Sequence, residues 1–234
     1  MTRIVRADKD ATILSACGLR GTCRRCGHPH QTRPVSGMDR RRIAHHRADH
    51  LPLSGRTPPK GSRSMSILAI DPGNTESGFA LIDPLTRRPL DIGKIPNEDL
   101  IDRLIGWIDP DVGESPVDRV SIEMIKSYGM PVGATVFETC VWIGRFAQVV
   151  EDFKTRATPC ELVYRGDVKL HHCHNSGAKD SNVVQALIDR FASGVRNRGK
   201  GIKDTPGWFY GFRADIWQAY ALAVMTADTN RSNS

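Results

Sequence analysis

From residue 66 onward the sequence predicts an α/β domain built on a sheet of mixed direction. Three short apolar runs come first, separated by the turn signals Gly73, Pro84 and Pro89, the pattern of strands joined by tight connections. Segments of helical period then alternate with further short apolar runs, as in crossovers between strands of one sheet. A third observation concerns chemistry. The run ILAID at 67–71 ends in a carboxylate, and a buried carboxylate without a partner is costly.

The elements follow in order. Residues 66–71 and 78–83 read as strands and 88–95 as a weaker third. Residues 97–108 read as a helix with Leu100, Ile101, Leu104, Ile105 and Ile108 on one face. RVSIEMI at 119–125 is a short buried strand. Residues 133–154 form a long helix, apolar around most of its circumference, which predicts cover on more than one side and with it a homodimer. Cys140 in that pattern reads as a buried thiol. Residues 161–165 are a strand, 179–192 a helix and 213–227 a final helix.

The chain carries a net charge of +7, but residues 1–64 hold 14 Lys and Arg against 4 Asp and Glu, which leaves residues 65–234 at −3. A nucleic-acid partner for the main domain therefore has to rest on local basic patches. Residues 1–64 show no sustained apolar period and read as a basic, disordered extension. Translation from Met65 is an alternative that would remove it. Within it, Cys23 and Cys26 have C-x2-C spacing, with Cys17, His28 and His30 nearby. A zinc site at Cys17, Cys23, Cys26 and His28 is the weaker alternative to an unstructured tail, because one C-x2-C pair lacks a second pair and an apolar scaffold. No apolar run reaches the roughly 18 residues of a membrane span, and no signal-peptide core is visible. The expectation is a cytoplasmic protein with no membrane partner.

Three acids sit in apolar settings: Asp71 at a strand end, Glu123 inside SIEMI, and Asp215 in ADIWQAYALAV. Taken singly, each has a plain alternative, a turn for Asp71 and a first-turn helix acid for Asp215. Taken together, converging carboxylates repel unless a cation neutralises them. Hard oxygen donors without clustered His suit Mg²⁺ or Mn²⁺, ions that activate water against a phosphodiester. Lys126, Arg165 and Lys169 follow the acid-bearing strands and are candidate phosphate ligands. Arg196, Arg198, Lys200 and Lys203 lie in a Gly-rich stretch that reads either as a mobile phosphate-wrapping loop or as a solvated surface loop. Asp204 in that stretch and Glu76 in the first turn are further candidate acids. The run His171, His172, Cys173, His174 is extended on this reading, which splits its side chains between two faces and argues against a metal site.

ILAIDPGNTESGFALI, VSIEMI, YRGDVKLHHCHNSGAKDSNVVQAL and ADIWQAYALAV together resemble the RuvC-type Holliday junction resolvases of the ribonuclease H-like superfamily, from about residue 66 to 228. The resemblance implies a five-stranded mixed sheet whose first three strands are antiparallel. It implies Mg²⁺-dependent hydrolysis of DNA at a four-way junction by a dimer, with Asp71, Glu123 and Asp215 as catalytic metal ligands. Where the family places a second acid three residues along the last helix, this chain has Gln218, which offers an amide oxygen without charge. Lys169 matches a family lysine, and Lys179 falls one position from another. Lys126 takes the place of the family's aromatic wedge, with Tyr128 near enough to stack on an unpaired base. A phage or prophage member fits the short domain.

The leading function is thus a structure-selective endonuclease acting on branched DNA. A non-catalytic junction-binding relative is the runner-up because of Gln218. An actin–hexokinase-type nucleotide-binding ATPase also opens on an Asp-x-Gly turn, but it requires a second phosphate strand that this length does not supply.

Overall fold

The computed structural model describes residues 66–109, 117–127, 129, 131–153 and 158–231. The extension 1–64, the alternative start Met65, the Cys17/Cys23/Cys26/His28 cluster and Tyr128 lie outside them. Within them, β1 (Ile67–Asp71), β2 (Glu76–Ile82), β3 (Pro89–Pro96), β4 (Arg119–Met124) and β5 (Cys160–Tyr164) form one sheet in the order β3-β2-β1-β4-β5. β1 and β2 pair antiparallel, as do β2 and β3, while β1–β4 and β4–β5 are parallel. This is the five-stranded mixed sheet, first three strands antiparallel, that the ribonuclease H-like resemblance implies.

Alternation along each strand divides the apolar residues between two cores. Leu68, Ile70, Phe79, Leu81, Val120 and Ile122 face α1 (Asn97–Ile108) and α2 (Ala134–Asp152). Ile67, Ala69, Ala80 and Ile82 face α3 (Arg165–Cys173), α4 (Asp180–Phe191) and α5 (Ile216–Arg231). α5 lies against β1, β2 and β4. Its residues Ala219 to Val224 are all fully buried, and three alanines among them let the helix approach the sheet closely. Thr226 Oγ1 meets Ser121 Oγ of β4 at 2.9 Å, so the one hydroxyl pair at this contact is satisfied internally.

Three expectations need correction. The chain does not continue extended after β5: residues 165–173 form helix α3, closed by His174 in the left-handed conformation. Only Val168 of this helix is fully buried, so its apolar period is too weak to read from sequence. Cys140 is exposed rather than buried. α2 buries Thr139, Ile143, Phe146 and Val150 and leaves Phe137 and Val141 each 62% exposed; an apolar circumference does not say which sides find cover. The last helix starts at Ile216, not 213, which places Asp215 just before it with its carbonyl accepting from the Gln218 and Ala219 amides.

At the far end of α5 the Asp228 carboxylate collects cations. Arg87 Nη2 and Nε reach it at 2.8 and 3.1 Å, Arg190 Nη1 and Nη2 at 2.6 and 3.0 Å, and His171 Nε2 lies 3.0 Å away. Burial opposes its charge, but hydrogen bonds from Arg190, Arg87 and His171 hold its carboxyl well below the usual carboxylate range. Such a group stabilises the fold above the unfolded-state carboxyl pKa of about 4 and loses that contribution as pH falls towards the folded value. Replacing Asp228 by Ala strands the buried Arg87 guanidinium and is expected to cost about 3 kcal/mol at pH 7, read as a shift in the urea midpoint, with the deficit shrinking in acid.

Candidate active site

The strand registers set one row of residues across the α5 side of the sheet. Lys94 of β3 pairs with Gly78 of β2, and Gly78 pairs with Asp71 of β1. Ile70 pairs with Ile122, so the next residues along, Asp71 and Glu123, are neighbours on the same face. Glu123 pairs in turn with Val163 of β5. Asp215 comes down onto this row from the start of α5. A Cβ added at Gly78 would lie 2.8 to 2.9 Å from the Asp215 backbone and Cβ, so only glycine lets Asp215 come this close to Asp71. Ala214, immediately before, has φ +36, a conformation side chains other than glycine seldom adopt.

The turn after β1 is pinned from inside. Gly73 N donates to Ser77 Oγ, Ser77 Oγ donates to Asn97 Oδ1, and Asn97 Nδ2 donates to the Gly73 carbonyl. A Cβ at Gly73 would fall 2.3 Å from the Glu76 carbonyl oxygen. Asn74 Nδ2 reaches Glu138 of α2 at 3.2 Å, tying the turn to the opposite helix layer.

Basic side chains balance two of the three acids. Arg165 Nη1 donates to both oxygens of Glu123 at 2.8 and 2.9 Å, and its Nη2 donates to Asp180 at 2.8 Å. Lys94 Nζ lies 2.7 Å from Asp215 and 3.9 Å from Glu76. No hydrogen bond or salt bridge reaches the Asp71 carboxylate among the described residues. Burial first, then the Glu123 charge, pushes its carboxyl well above the usual carboxylate range; Asp215 adds to the rise and Arg165 opposes it. Burial also raises Glu123, against the pull of Arg165.

Among the described residues, no three acidic, histidine or cysteine side chains stand ready as a cation cage. The donor chemistry still fits a hard divalent ion: the convergent ligands are carboxylate oxygens, and among the described residues the desolvated Asp71 carboxyl has no bonded counter-ion. Glu123 and Asp215 are held by Arg165 and Lys94, so a cation has to exchange with those two side chains to gather all three acids. Gln218 lies one turn into α5 from Asp215 and is half-buried.

The remaining predicted residues divide by position. Lys126, Arg165, Lys169 and Ser176 line a cleft of about 240 Å³ whose wall includes Glu123. Lys126 also lies 5.8 Å over the Tyr164 ring. Lys179 is exposed at the start of α4. Arg196, Arg198, Lys200 and Lys203 are not brought to the acids. Their loop folds back on the C-terminal end of α4, where Gly199 packs on Ala192 and Phe209, and Trp208 stacks on Phe191 and under Arg88. Asp180, at the other end of α4, is the end that meets Arg165. A helix of 12 residues separates the two, about 18 Å. The loop is closed by the Gly201–Pro206 bridge and a Phe209 N to Gly199 O bond. Asp204 is exposed in it and Glu76 is exposed at the rim. His171, His172 and Cys173 are helical and His174 caps the helix: His171 contacts Asp228 and His172 Nε2 the Ala221 carbonyl, and burial takes His172 down to about 4.

Lys94 and Asp180 escaped the sequence reading. Lys94 sits in the weakest strand, and its partner Asp215 is brought to it only by the docking of α5. Its one signal is the strand parity that sets it beside Gly78. Asp180 reads from sequence as an ordinary first-turn acid.

Comparison with solved structures finds RuvC from Thermus thermophilus, with a TM-score of 0.48 and 16% identity over 72% of this chain and 97% of that one. It also finds T. thermophilus RuvC in complex with a Holliday junction substrate, with a TM-score of 0.46 and 16% identity over 72% and 96%. No family model and no curated protein matches the chain.

Because its folded-state pKa is raised, the Asp71 carboxyl binds more protons in the native than in the unfolded protein, so it destabilises the fold increasingly as pH rises past about 4. Asp71→Asn removes that repulsion. In EDTA at pH 7 the variant is expected to be more stable than its parent by about 1–3 kcal/mol, with the gain vanishing at pH 3. A variant less stable than its parent at neutral pH would show that the carboxylate is favourably held.

Proposed function

We propose that the chain is a structure-selective DNA endonuclease, a crossover junction endodeoxyribonuclease cutting four-way or related branched DNA by Mg²⁺-dependent phosphodiester hydrolysis, with Mn²⁺ able to substitute. The observation that carries this is Asp71: a desolvated carboxylate set between two others, bonded to no cation among the described residues, beside a cleft lined with basic side chains. The resemblance of its motifs to the RuvC type implies the catalytic role for the same three acids. Asp71, Glu123 and Asp215 would hold the metal, with the Gln218 amide oxygen as a neutral fourth donor, and the bound ion supplies an activated water and charge neutralisation.

In this reading the protein's own residues position the substrate. Lys126, Arg165 and Lys169 receive the phosphate in the cleft, and Lys179 extends that contact along the start of α4. Lys94 orients Asp215. The pinned turn from Pro72 to Ser77 forms a rigid edge beside the scissile bond. Tyr128, two residues after Lys126 in the sequence, is the candidate for stacking on an opened base. Arg196, Arg198, Lys200 and Lys203 meet a duplex arm away from the cut. Symmetrical cuts need two active sites, and the exposed Phe137 and Val141 on α2 are the surface we assign to a homodimer. No helix among the described residues is long and apolar enough to cross a membrane. The proposed activity acts on DNA in the cytoplasm, in recombination or repair, in a phage or its host.

A second reading, a junction-binding relative without catalysis, is favoured by Gln218 and by the Arg165 clamp on Glu123. A synthetic four-way junction and a linear duplex, each with Mg²⁺ or EDTA, separate the two. Paired nicks confined to the junction, lost in EDTA and reduced at least about 10³-fold in Asp71→Asn, are expected. Tight junction binding with no nicking in Mg²⁺ or Mn²⁺ would leave the binding protein. The dimer has its own test: sedimentation at micromolar concentration is expected to give a dimer for the parent and a monomer for Val141→Glu. A monomeric parent would retire the α2 interface.

A further inference from the structure

Arg165 makes contacts that a simple phosphate ligand does not need. Its guanidinium is a bridge: one terminal nitrogen serves both oxygens of Glu123 and the other serves Asp180. Glu123 is the better shielded of the two carboxylates, with its side chain 12% exposed against 50% for Asp180. Asp180 also accepts Lys169 at 3.1 Å. A carboxylate as enclosed as Glu123 requires a positive partner, and in this state Arg165 is that partner. A divalent ion and the guanidinium would compete for the same two oxygens.

We propose that Arg165 is an internal counter-ion for Glu123 that withdraws onto Asp180 when the carboxylates take up a divalent cation, and that Asp180 is the positioning residue that receives it. The inference rests on the metal-dependent reading above and assigns a role to two residues in it. The geometry requires little movement. Nη2 is already bonded to Asp180, so the side chain pivots about that contact and gives up only its bonds to Glu123. The forked guanidinium suits this because it holds two carboxylates at once, which a lysine ammonium does not do with the same fixed geometry. Once off Glu123, Arg165 and Lys169 share the single charge of Asp180 and present a net positive pair to the cleft that Lys126 and Ser176 also line. Cation uptake and phosphate binding are thereby coupled: the arginine released by the first becomes available to the second.

The test is calorimetric titration of Mn²⁺ alone into the full-length parent, Arg165→Lys and Asp180→Asn, with thermal melts in EDTA to establish that each is folded. Arg165→Lys keeps the charge and loses the fork. It is expected to bind Mn²⁺ tighter by on the order of tenfold, whereas a role exerted only through the local field leaves the affinity unchanged. Asp180→Asn leaves the guanidinium with Glu123 as its sole carboxylate and is expected to bind several-fold more weakly. ¹⁵N spectra of the arginine side chains, recorded with Mg²⁺, supply a second readout. The Arg165 signal, identified by its absence from Arg165→Lys, is expected to stay restrained in the Mg²⁺-bound parent and to rotate freely in Mg²⁺-bound Asp180→Asn. Mn²⁺ binding of equal affinity in all three proteins, or an Arg165 resonance whose chemical shift Mg²⁺ leaves unmoved in the parent, overturns the inference while the metal reading stands. Absence of any Mn²⁺ heat in the parent sinks the metal reading and the inference with it.

Discussion

The close seating of α5 on the sheet is the constraint on which the rest of this structure depends. A helix buried from Ala219 to Val224 has one low-energy place, flat on β1 and β2, and the missing side chain at Gly78 lets its first turn come down to the strand backbone. That contact delivers Asp215 to Asp71. Strand pairing delivers Glu123 to the same point. The three acids are thus forced together by apolar burial, whose contribution of about 25 cal/mol for each Å² removed from water, summed over two cores, exceeds the repulsion it creates. Lys94 and Arg165 offset part of that repulsion from the rim.

The two ends of α5 treat the same chemical group in opposite ways. At Asp228 a carboxylate is surrounded by Arg87, Arg190 and His171 and is held firmly ionised. At the other end Asp71 is desolvated beside Glu123 and held against ionisation. One end is arranged for stability and the other is left electrostatically unsatisfied. Unsatisfied charge of this kind concentrates where a protein binds or transforms a ligand. The aromatic group of Phe209, Phe212, Trp217 and Tyr220 packs between them, and the Tyr220 hydroxyl donates to the Arg87 carbonyl at 2.8 Å, so the satisfied end anchors the helix whose start carries the strained site.

Sequence alone revealed the features with short-range causes. Short apolar runs and the Asp-Pro-Gly turn marked β1 and β2, and a carboxylate in an apolar run marked Asp71 and Glu123 as unusual. Features that depend on docking were out of reach. α3 carries a single fully buried side chain, so its helicity follows from packing against α4 and α5 rather than from its own pattern. Lys94 acquires its close partner Asp215 only when α5, more than a hundred residues later, docks on the sheet. Arg165 was legible as a basic residue near the acids, but its bond to Asp180 joins the first residues of two helices and leaves no periodic trace. Cys140 and its exposed neighbours show the converse limit: apolar composition reveals that a surface seeks cover without saying what covers it.

The order of the chain has a further consequence for how this molecule comes into being. The helix that completes one whole core is made after every other element described above, and its bonds reach back 105 residues to Ser121, 133 to Arg87 in the case of Tyr220 and 141 in the case of Asp228. Until those residues leave the ribosome, β1 and β2 display an apolar surface that α5 has yet to cover. High sequence separation of this kind slows folding and prolongs the exposure of strand surfaces to self-association. Loss of even a few turns from α5 therefore costs far more than an equal loss from a segment that closes no core.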